Sequence, residues 1–176
     1  MDDKNESNIR QMREIKIEKV IVNIGVGQSG EPLERAKKVL GQLTSQKVCT
    51  RRAKNTIKDF GIRKGEPIAC LVTLRKDRAI DFLKKAMDAI GNKINSSGFD
   101  DFGNFSFGIK EHIDIPGTKY VPELGIIGMD VIVNLERPGY RIKRKKIRKS
   151  RIGKHHQITK KEAIDFFQKN FGIEVI

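Results

Sequence analysis

Residues 47–75, KVCTRRAKNTIKDFGIRKGEPIACLVTLR, join a basic loop to a pattern typical of a β-strand. The loop contains two glycines, which allow tight turns, and most of its charged side chains are Lys or Arg. From residue 67 to residue 75 apolar side chains alternate with others, which predicts a strand with one buried face. That face is expected to hold Ile68, Cys70, Val72 and Leu74. Thr73 and Arg75 are expected on the opposite face.

Residues 15–24, IKIEKVIVNI, predict a second strand because β-branched residues dominate them. The apolar residues are at odd positions in the first half of the segment and at even positions in the second half. A slip of one residue predicts a β-bulge near Glu18 and Lys19. In the later register Asn23 points away from the core. A short strand is also predicted at residues 48–50.

Three helices are predicted from apolar residues that recur at intervals of three and four positions. The first covers residues 32–43, with a proline in its first turn. The second covers residues 77–94, with Asp77 as its N-cap. The third begins at Thr159, which forms a capping box with Glu162. The buried stripe of the second helix is expected to be Ile80, Leu83, Met87, Ile90 and Ile94.

Two more stretches of alternating apolar residues, 105–109 and 131–135, complete the set of predicted strands. Strands that are apolar on one face only, combined with three helices, predict an α+β fold of two layers. The sheet is expected to be largely antiparallel, with the helices on one face and an open face on the other. The open face is expected to display Asn23, Thr73, Arg75 and Asn134.

The positive charge of the chain is concentrated in two segments. The formal net charge is +14, of which residues 47–65 contribute +6 and residues 141–154 contribute +9. The rest of the chain is therefore close to neutral. Charge gathered in this way favours a polyanionic partner, with nucleic acid first and a membrane surface second.

We therefore predict a flexible N-terminus at residues 1–12 and one α+β RNA-binding domain at residues 13–176. The domain carries a basic loop at residues 51–66 and a basic extension at residues 137–158. The longest apolar run, residues 68–72, is too short to cross a bilayer, so no membrane partner is expected.

The expected location of the protein is the cytoplasm. The first residues are acidic and polar, which is not the pattern of a secretory or mitochondrial presequence. Cys49 and Cys70 both fall in predicted strands, and we expect them to be small buried side chains with reduced thiols.

Residues 25–30, GVGQSG, match the G-x-G-x-x-G pattern of dinucleotide-binding turns and lie between a predicted strand and a predicted helix. With Arg51 and Arg52 downstream, the pattern supports an alternative hypothesis, an NADP-binding enzyme. Pro32 argues against it, because a proline removes one of the helix amides that would hold the pyrophosphate. The chain also lacks further βαβ units, so a simple strand-to-helix turn is the favoured interpretation.

The other residues that could carry chemistry form no catalytic or metal-binding pattern. Asp100 and Asp101 are in a predicted turn, where adjacent carboxylates are usually solvated. His112 has no Ser or Cys nucleophile near it in sequence, and His155 and His156 extend a basic run. We therefore expect no enzyme activity, no metal and no cofactor.

Three long motifs stand out along the chain: KVIVNIGVG, TRRAKNTIKDFGIRKGEPI followed by VTLR, and FDDFGNFSFGIKEHIDIPG followed by GMDVIV. They resemble a large-subunit ribosomal protein, the universal L-five family, which carries 5S rRNA. They occur in the order found in the family, between residues 13 and 136. The segment RPGYRIKRKK, which begins at residue 137, resembles the archaeal and eukaryotic branch.

The resemblance implies a structural role in the large ribosomal subunit, where 5S rRNA is held on the open sheet face and attached in the central protuberance. The residues that match the family's RNA-contacting positions are Asn23, Gln46 and Thr73, and we add the adjoining basic residues Lys47 and Arg75 to the predicted 5S rRNA site. The resemblance also implies that the basic loop approaches peptidyl-site tRNA with Arg52, Lys54, Lys58, Arg63 and Lys64. The residues of the basic extension expected on phosphates of the large-subunit rRNA are Arg141, Lys143, Arg144, Lys145, Lys146 and Arg148.

Further partners implied by the resemblance are neighbouring ribosomal proteins, including one in the small-subunit head near residues 113–128. A free-standing RNA chaperone is the remaining alternative. The chain departs from the family pattern at Ser45, where Gly is common, and at Leu71, where Lys is common.

Overall fold

The computed structural model describes residues 11–118 and 121–176, so most of the predicted flexible N-terminus lies outside the described residues. The strands in these ranges are β1 (Lys16–Gly25), β2 (Cys49–Arg52), β3 (Pro67–Leu74), β4 (Lys93–Ile94), β5 (Phe105–Ile109), β6 (Met129–Glu136) and β7 (Glu174–Val175). The α-helices are α1 (Glu31–Thr44), α2 (Asp77–Ala89) and α3 (Lys160–Phe171).

Five of the strands form one antiparallel sheet in the order β2-β3-β1-β6-β5. β1 lies at its centre and pairs with β3 on one side and β6 on the other. The pairing with β6 shifts between Ile17 and Lys19, which confirms the predicted bulge. β4 and β7 form a separate parallel pair. The predicted α+β class and the largely antiparallel sheet are confirmed.

The core lies between one face of the sheet and the helices. The inward residues of β1 are Val20, Val22 and Ile24, each at most 1% exposed, as the predicted register requires. Large buried side chains from the helices are Leu33, Leu40, Leu83, Met87 and Phe167. α3 is seated by aromatic contacts, since the Phe105 ring lies 4.6 Å from the Phe99 ring and 5.2 Å from the Phe167 ring, between centroids. The opposite face of the sheet carries side chains that are half-buried or exposed.

α2 is shorter than predicted at its C-terminal end. It ends at Ala89 and not at residue 94. The chain turns at Gly91, whose φ is +66°, and then enters β4. Ile94 is buried there in the parallel pairing with Val175. The apolar spacing continues the helical pattern as far as Ile94, but Ile94 itself is packed as part of a strand.

The predicted N-cap and part of the predicted stripe of α2 are wrong. Lys76, with φ of +55°, occupies the N-cap position, and no side chain caps the helix. Asp77 is the first helical residue, where its negative charge interacts favourably with the positive end of the helix dipole. Ile80 is 37% exposed, because the buried side of this turn is formed by Ala79 and Phe82.

The prediction that both cysteines are buried holds for only one of them. Cys70 is fully buried, and burial raises the pKa of its thiol to about 11. Cys49 is exposed because it lies on β2, an edge strand whose four residues are all exposed. β2 itself confirms the short strand predicted at residues 48–50, although it extends to Arg52.

The basic extension, residues 137–158, is closed at its base by contacts between its two ends. Arg137 is 5% exposed, and its guanidinium pairs with the Glu162 carboxylate at 2.7 Å. The same guanidinium donates to the His156 carbonyl at 3.4 Å, and the Tyr140 hydroxyl donates to that carbonyl at 3.1 Å. The two ends of the extension are therefore tied together beside the start of α3.

Glu162 also completes the predicted capping box of α3, which is confirmed. Its carboxylate accepts from the Thr159 N–H at 3.0 Å, and the Thr159 hydroxyl accepts from the Glu162 N–H at 3.4 Å. Burial acts to raise the pKa of Glu162, but the Thr159 N–H and the Arg137 guanidinium outweigh it, so the pKa lies below 4.5. The ionised carboxylate thus contributes stability above pH 4.5 that is lost as the pH falls through the lowered pKa.

Glu162→Gln should lower the free energy of unfolding at pH 7 by about 1–2 kcal/mol, because the buried guanidinium of Arg137 loses its counter-charge. Urea denaturation followed by circular dichroism, repeated at a series of pH values from 7 downward, measures the effect. The difference from the wild type should shrink as the pH falls through the lowered pKa of Glu162, where the wild-type carboxylate becomes protonated. Asp165→Asn, an exposed carboxylate on the same helix, is the matched control and should change little. An equal loss at every pH would contradict the ion-pair explanation.

Candidate nucleic-acid interface

Two of the polar residues predicted on the open face are neighbours across the centre of the sheet. Thr73 of β3 is paired with Ile21 of β1, and Asn23 lies two residues further along β1. Side chains at such diagonal positions lie on the same face within reach of one another. Both Thr73 and Asn23 are half-buried and face away from the core, as the alternation predicted.

Gln46, which was identified only from the family resemblance, lies next to Thr73. In the amide orientation that satisfies both neighbours, its Nε2 donates to the Thr73 carbonyl at 3.2 Å. Its Oε1 then accepts from Arg78 Nη1 at 3.1 Å. Gln46 follows Ser45, which adopts a left-handed conformation with φ of +48° although it is not a glycine. Ser45 thus adopts the left-handed conformation that glycine adopts most readily.

The basic residues predicted near this site lie at its margin. Lys47 precedes β2, Arg75 directly follows β3, and both are exposed. Arg78, in the first turn of α2, is a further basic residue that the sequence analysis missed. The run Arg75-Lys76-Asp77-Arg78 was its only signal, because the contact with Gln46 depends on the tertiary fold.

The centre of the open face is not basic. One row across the sheet consists of Cys49, Leu71, Asn23, Asp130 and Gly108. The next row consists of Thr73, Ile21, Ile132 and Ser106. These two rows contain one carboxylate and no Lys or Arg. Such a surface is suited to hydrogen bonds and shape matching with RNA, and it is poorly suited to neutralising phosphates.

The basic loop, residues 51–66, forms a closed hairpin. Near its tip, backbone hydrogen bonds of 2.9 and 3.1 Å join Ile57 and Ile62 in both directions. At its base the Ala53 N–H donates to the Glu66 carbonyl at 2.8 Å. The five side chains predicted to approach tRNA are all exposed: Arg52, Lys54, Lys58, Arg63 and Lys64.

Glu66 holds the base of this hairpin through its side chain. Its carboxylate accepts from the Arg63 N–H at 2.9 Å and from the Ser29 hydroxyl at 2.7 Å. The hydrogen bond from the Arg63 backbone, followed by that from Ser29, lowers the pKa of Glu66 below 4.5. The loop is therefore attached to the glycine-rich turn that follows β1.

That turn, residues 25–30, is used for internal contacts. The N–H groups of Val26 and Gly27 donate to the Ile68 carbonyl at 3.1 and 2.9 Å, and Ser29 binds the loop. Both strands beside β1 are antiparallel to it, whereas a dinucleotide turn requires a parallel βαβ unit. The NADP hypothesis therefore lacks its structural context, and a strand-to-helix turn explains the glycines.

The residues of the basic extension predicted on phosphates are all exposed. Arg144 differs from the others because its guanidinium forms ion pairs with Glu18 and Glu136. These acids lie on β1 and β6, so Arg144 attaches the extension to the sheet and is less available to phosphate. Lys143 Nζ lies 4.9 Å from the centroid of the Tyr140 ring.

Asp100 and His112, two of the residues considered for chemistry, have structural contacts. The Asp100 carboxylate accepts from the N–H groups of Phe102 and Asn104 at 3.0 and 2.6 Å. His112 is 2% exposed, and its Nδ1 lies 3.3 Å from the Ile127 nitrogen. Across residues 11–118 and 121–176, no group of three or more His, Cys, Asp or Glu residues could hold a metal ion.

No helix within the described part of the chain combines the length and the apolar character needed to cross a membrane.

Glu66→Gln should loosen the hairpin, because the neutral amide accepts more weakly from the Arg63 N–H and the Ser29 hydroxyl. Limited trypsin digestion should then cleave after Arg63 and Lys64 several-fold faster than in the wild type. Asp59→Asn is the control, since it removes the other acid of the loop without touching these bonds. Equal cleavage of the two variants would show that net charge, and not the Glu66 contacts, controls the loop.

Comparison with known proteins gives two family matches that together span most of the chain. Residues 10–63 match the model for ribosomal protein L5, and residues 67–166 match the model for the C-terminus of the same ribosomal protein family. The chain is 56% identical to the large ribosomal subunit protein uL5 of Pyrobaculum aerophilum over 164 residues, which cover 93% of this chain and 92% of the relative. It is 50% identical to the uL5 protein of Cenarchaeum symbiosum over 165 residues, which cover 94% and 98%.

Proposed function

The chain belongs to the ribosomal protein L5 family, and from this we propose that it binds 5S rRNA through the open face of its sheet. The membership confirms the resemblance drawn from the motifs, including its archaeal character. Proteins of this family are structural constituents of the large ribosomal subunit and not enzymes. The role assigned to the chain is therefore to hold RNA in place within the ribosome.

The observation that carries the proposal is the diagonal placement of Asn23 and Thr73 on the open face. The two residues lie on adjacent strands, and the Gln46 side chain, from the turn after α1, donates to the main-chain carbonyl of Thr73. Amides and hydroxyls can both donate and accept, which suits base edges and ribose hydroxyls. The carboxylate of Asp130, which is paired with Asn23, repels phosphate from this centre and favours donor groups of the RNA.

The basic loop and the basic extension supply affinity around this centre. Lys and Arg side chains that neutralise phosphates release counterions and strengthen binding to any RNA. The family resemblance assigns the loop to peptidyl-site tRNA, and the closed hairpin with five exposed basic side chains supports this assignment. The extension is assigned to phosphates of the large-subunit rRNA, and the segment 113–128 to a bridge with a small-subunit head protein. Other neighbouring ribosomal proteins complete the set of partners, and 5S rRNA is attached in the central protuberance.

Asn23→Ala and Thr73→Val should each weaken binding to 5S rRNA by roughly 5- to 20-fold, because each removes about one hydrogen bond to the RNA. Affinity for a length-matched unrelated RNA should stay the same, so discrimination falls. Filter binding or fluorescence anisotropy with the two RNAs measures both quantities. Gln42→Ala, an exposed amide on α1 at the helix side of the sheet, is the control and should leave both affinities unchanged. If the Asn23 variant weakened binding to both RNAs equally, the open face would not be the specific site.

Lys58→Gln combined with Lys64→Gln should weaken binding to both RNAs by the same factor, since both lysines lie in the exposed part of the basic loop. If both lysines contact phosphate, the slope of log affinity against log salt should fall by roughly 1.4–1.8. A salt titration of binding gives this slope directly. A selective loss of 5S rRNA binding would show instead that the loop carries specificity.

A further inference from the structure

A groove of about 560 Å³ lies between the turn at residues 100–104 and the basic extension. We propose that this groove receives an unpaired base of an RNA, which stacks on Phe102 while its phosphates lie against the cations at the rim. The inference rests on the proposed function, since it takes RNA as the partner. It adds a second RNA contact, which belongs to neither the open face nor the basic loop.

Phe102 is an aromatic side chain displayed to solvent on a rigid support. It is 64% exposed, although apolar rings of this size are normally buried. The Asp100 carboxylate fixes the turn by accepting from the Phe102 and Asn104 N–H groups. Gly103 has φ of +77°, and a Cβ atom at this position would lie 2.5 Å from Cγ2 of Ile158. The turn is therefore tightly packed against the body of the protein and holds the ring outside it.

The groove beside this ring combines an apolar floor with a cationic rim. Leu135, Tyr140 and Ile158 form the floor, and each is at most 5% exposed. Three exposed cations line the rim: Lys143, Arg151 and Lys154. The half-buried side chain of Gln157 also lines the groove and donates from Nε2 to the Ile152 carbonyl at 3.2 Å. Its Oε1 is thus held in a fixed direction, where it can accept from an N–H group of a base, such as N3–H of uracil.

This combination fits a nucleotide better than a peptide or a lipid surface. A nucleotide has a flat base that stacks on an aromatic ring, and it carries negative charge close to that base. An acidic peptide would use the cations but would leave the ring without a partner. A membrane anchor would protrude from the surface, whereas Phe102 lines a recess whose volume is typical of small-ligand sites.

The test compares a short uridine oligomer with an abasic oligomer of the same length and charge, using the full chain and fluorescence anisotropy. The wild type should bind the uridine oligomer more tightly, by about 5- to 100-fold, which is the range expected for stacking of one base. Phe102→Ala should remove this preference and leave affinity for the abasic oligomer unchanged, because the rim cations remain. Phe102→Tyr should keep the preference, since it retains the ring.

Phe60→Ala is the matched control, because Phe60 is 73% exposed but lies in the basic loop. This variant should keep the wild-type preference for bases. The proposal is overturned if the wild type binds both oligomers equally, if Phe102→Ala keeps the preference, or if Phe60→Ala loses it.

Photocrosslinking identifies the source of the base. RNAs containing 4-thiouridine, either 5S rRNA or large-subunit rRNA, should crosslink to the peptide that contains Phe102 in at least one of the two arms. The proposal is overturned if neither RNA crosslinks to that peptide.

The oligomer test is separate from the 5S rRNA assignment. The Asn23→Ala variant should lose its discrimination for 5S rRNA but keep its preference for the oligomer that carries bases. Failure of 5S rRNA selectivity in the wild type would therefore reject the proposed function without rejecting the groove.

Discussion

The antiparallel pairing of β1 with β3 and β6 is the constraint on which the rest of the structure depends. It fixes which residues of the central strand face the helices, so that Val20 and Val22 are buried while Asn23 is turned outward. A shift of the register by one residue would exchange these faces. The same pairing places Thr73 diagonally from Asn23 and removes the parallel unit that a dinucleotide site requires. The core and the candidate RNA surface are thus two consequences of one set of backbone hydrogen bonds.

Several carboxylates of this protein hold the basic segments in place, in addition to offsetting part of their positive charge. Glu66 closes the basic loop, and Glu162 binds the buried guanidinium at the base of the extension. Glu18 and Glu136 hold Arg144 against the sheet. Each acid accepts from a group that would otherwise be free to move, so the remaining cations are presented on supported backbone. Groups ordered before binding lose less conformational freedom when RNA binds, which raises affinity.

The sequence was sufficient for features that depend on local periodicity and insufficient for those that depend on tertiary contacts. Alternation predicted the two faces of β1 and β3 and the bulge near Glu18. The spacing of Thr159 and Glu162 predicted the capping box of α3, and each of these features is encoded within a few residues. The position where α2 ends and the exposure of Cys49 depend on neighbouring strands. The spacing of apolar residues along the chain carries no information about such contacts, so neither feature was predicted. At the candidate site, Asn23 and Thr73 followed from alternation. Gln46 came only from the family resemblance, and Arg78 became visible only once α2 was placed beside the turn after α1.

We infer that discrimination for 5S rRNA resides in the centre of the open face, which has no Lys or Arg, while the basic segments provide affinity for RNA in general. The most direct test of this inference is the ratio of affinities for 5S rRNA and a length-matched unrelated RNA, measured across a range of salt concentrations. Salt weakens contacts to phosphate and leaves hydrogen bonds to bases nearly unaffected. We expect both affinities to fall steeply while their ratio stays well above one and nearly constant. A ratio that falls to one as salt rises would show that charge alone produces the preference.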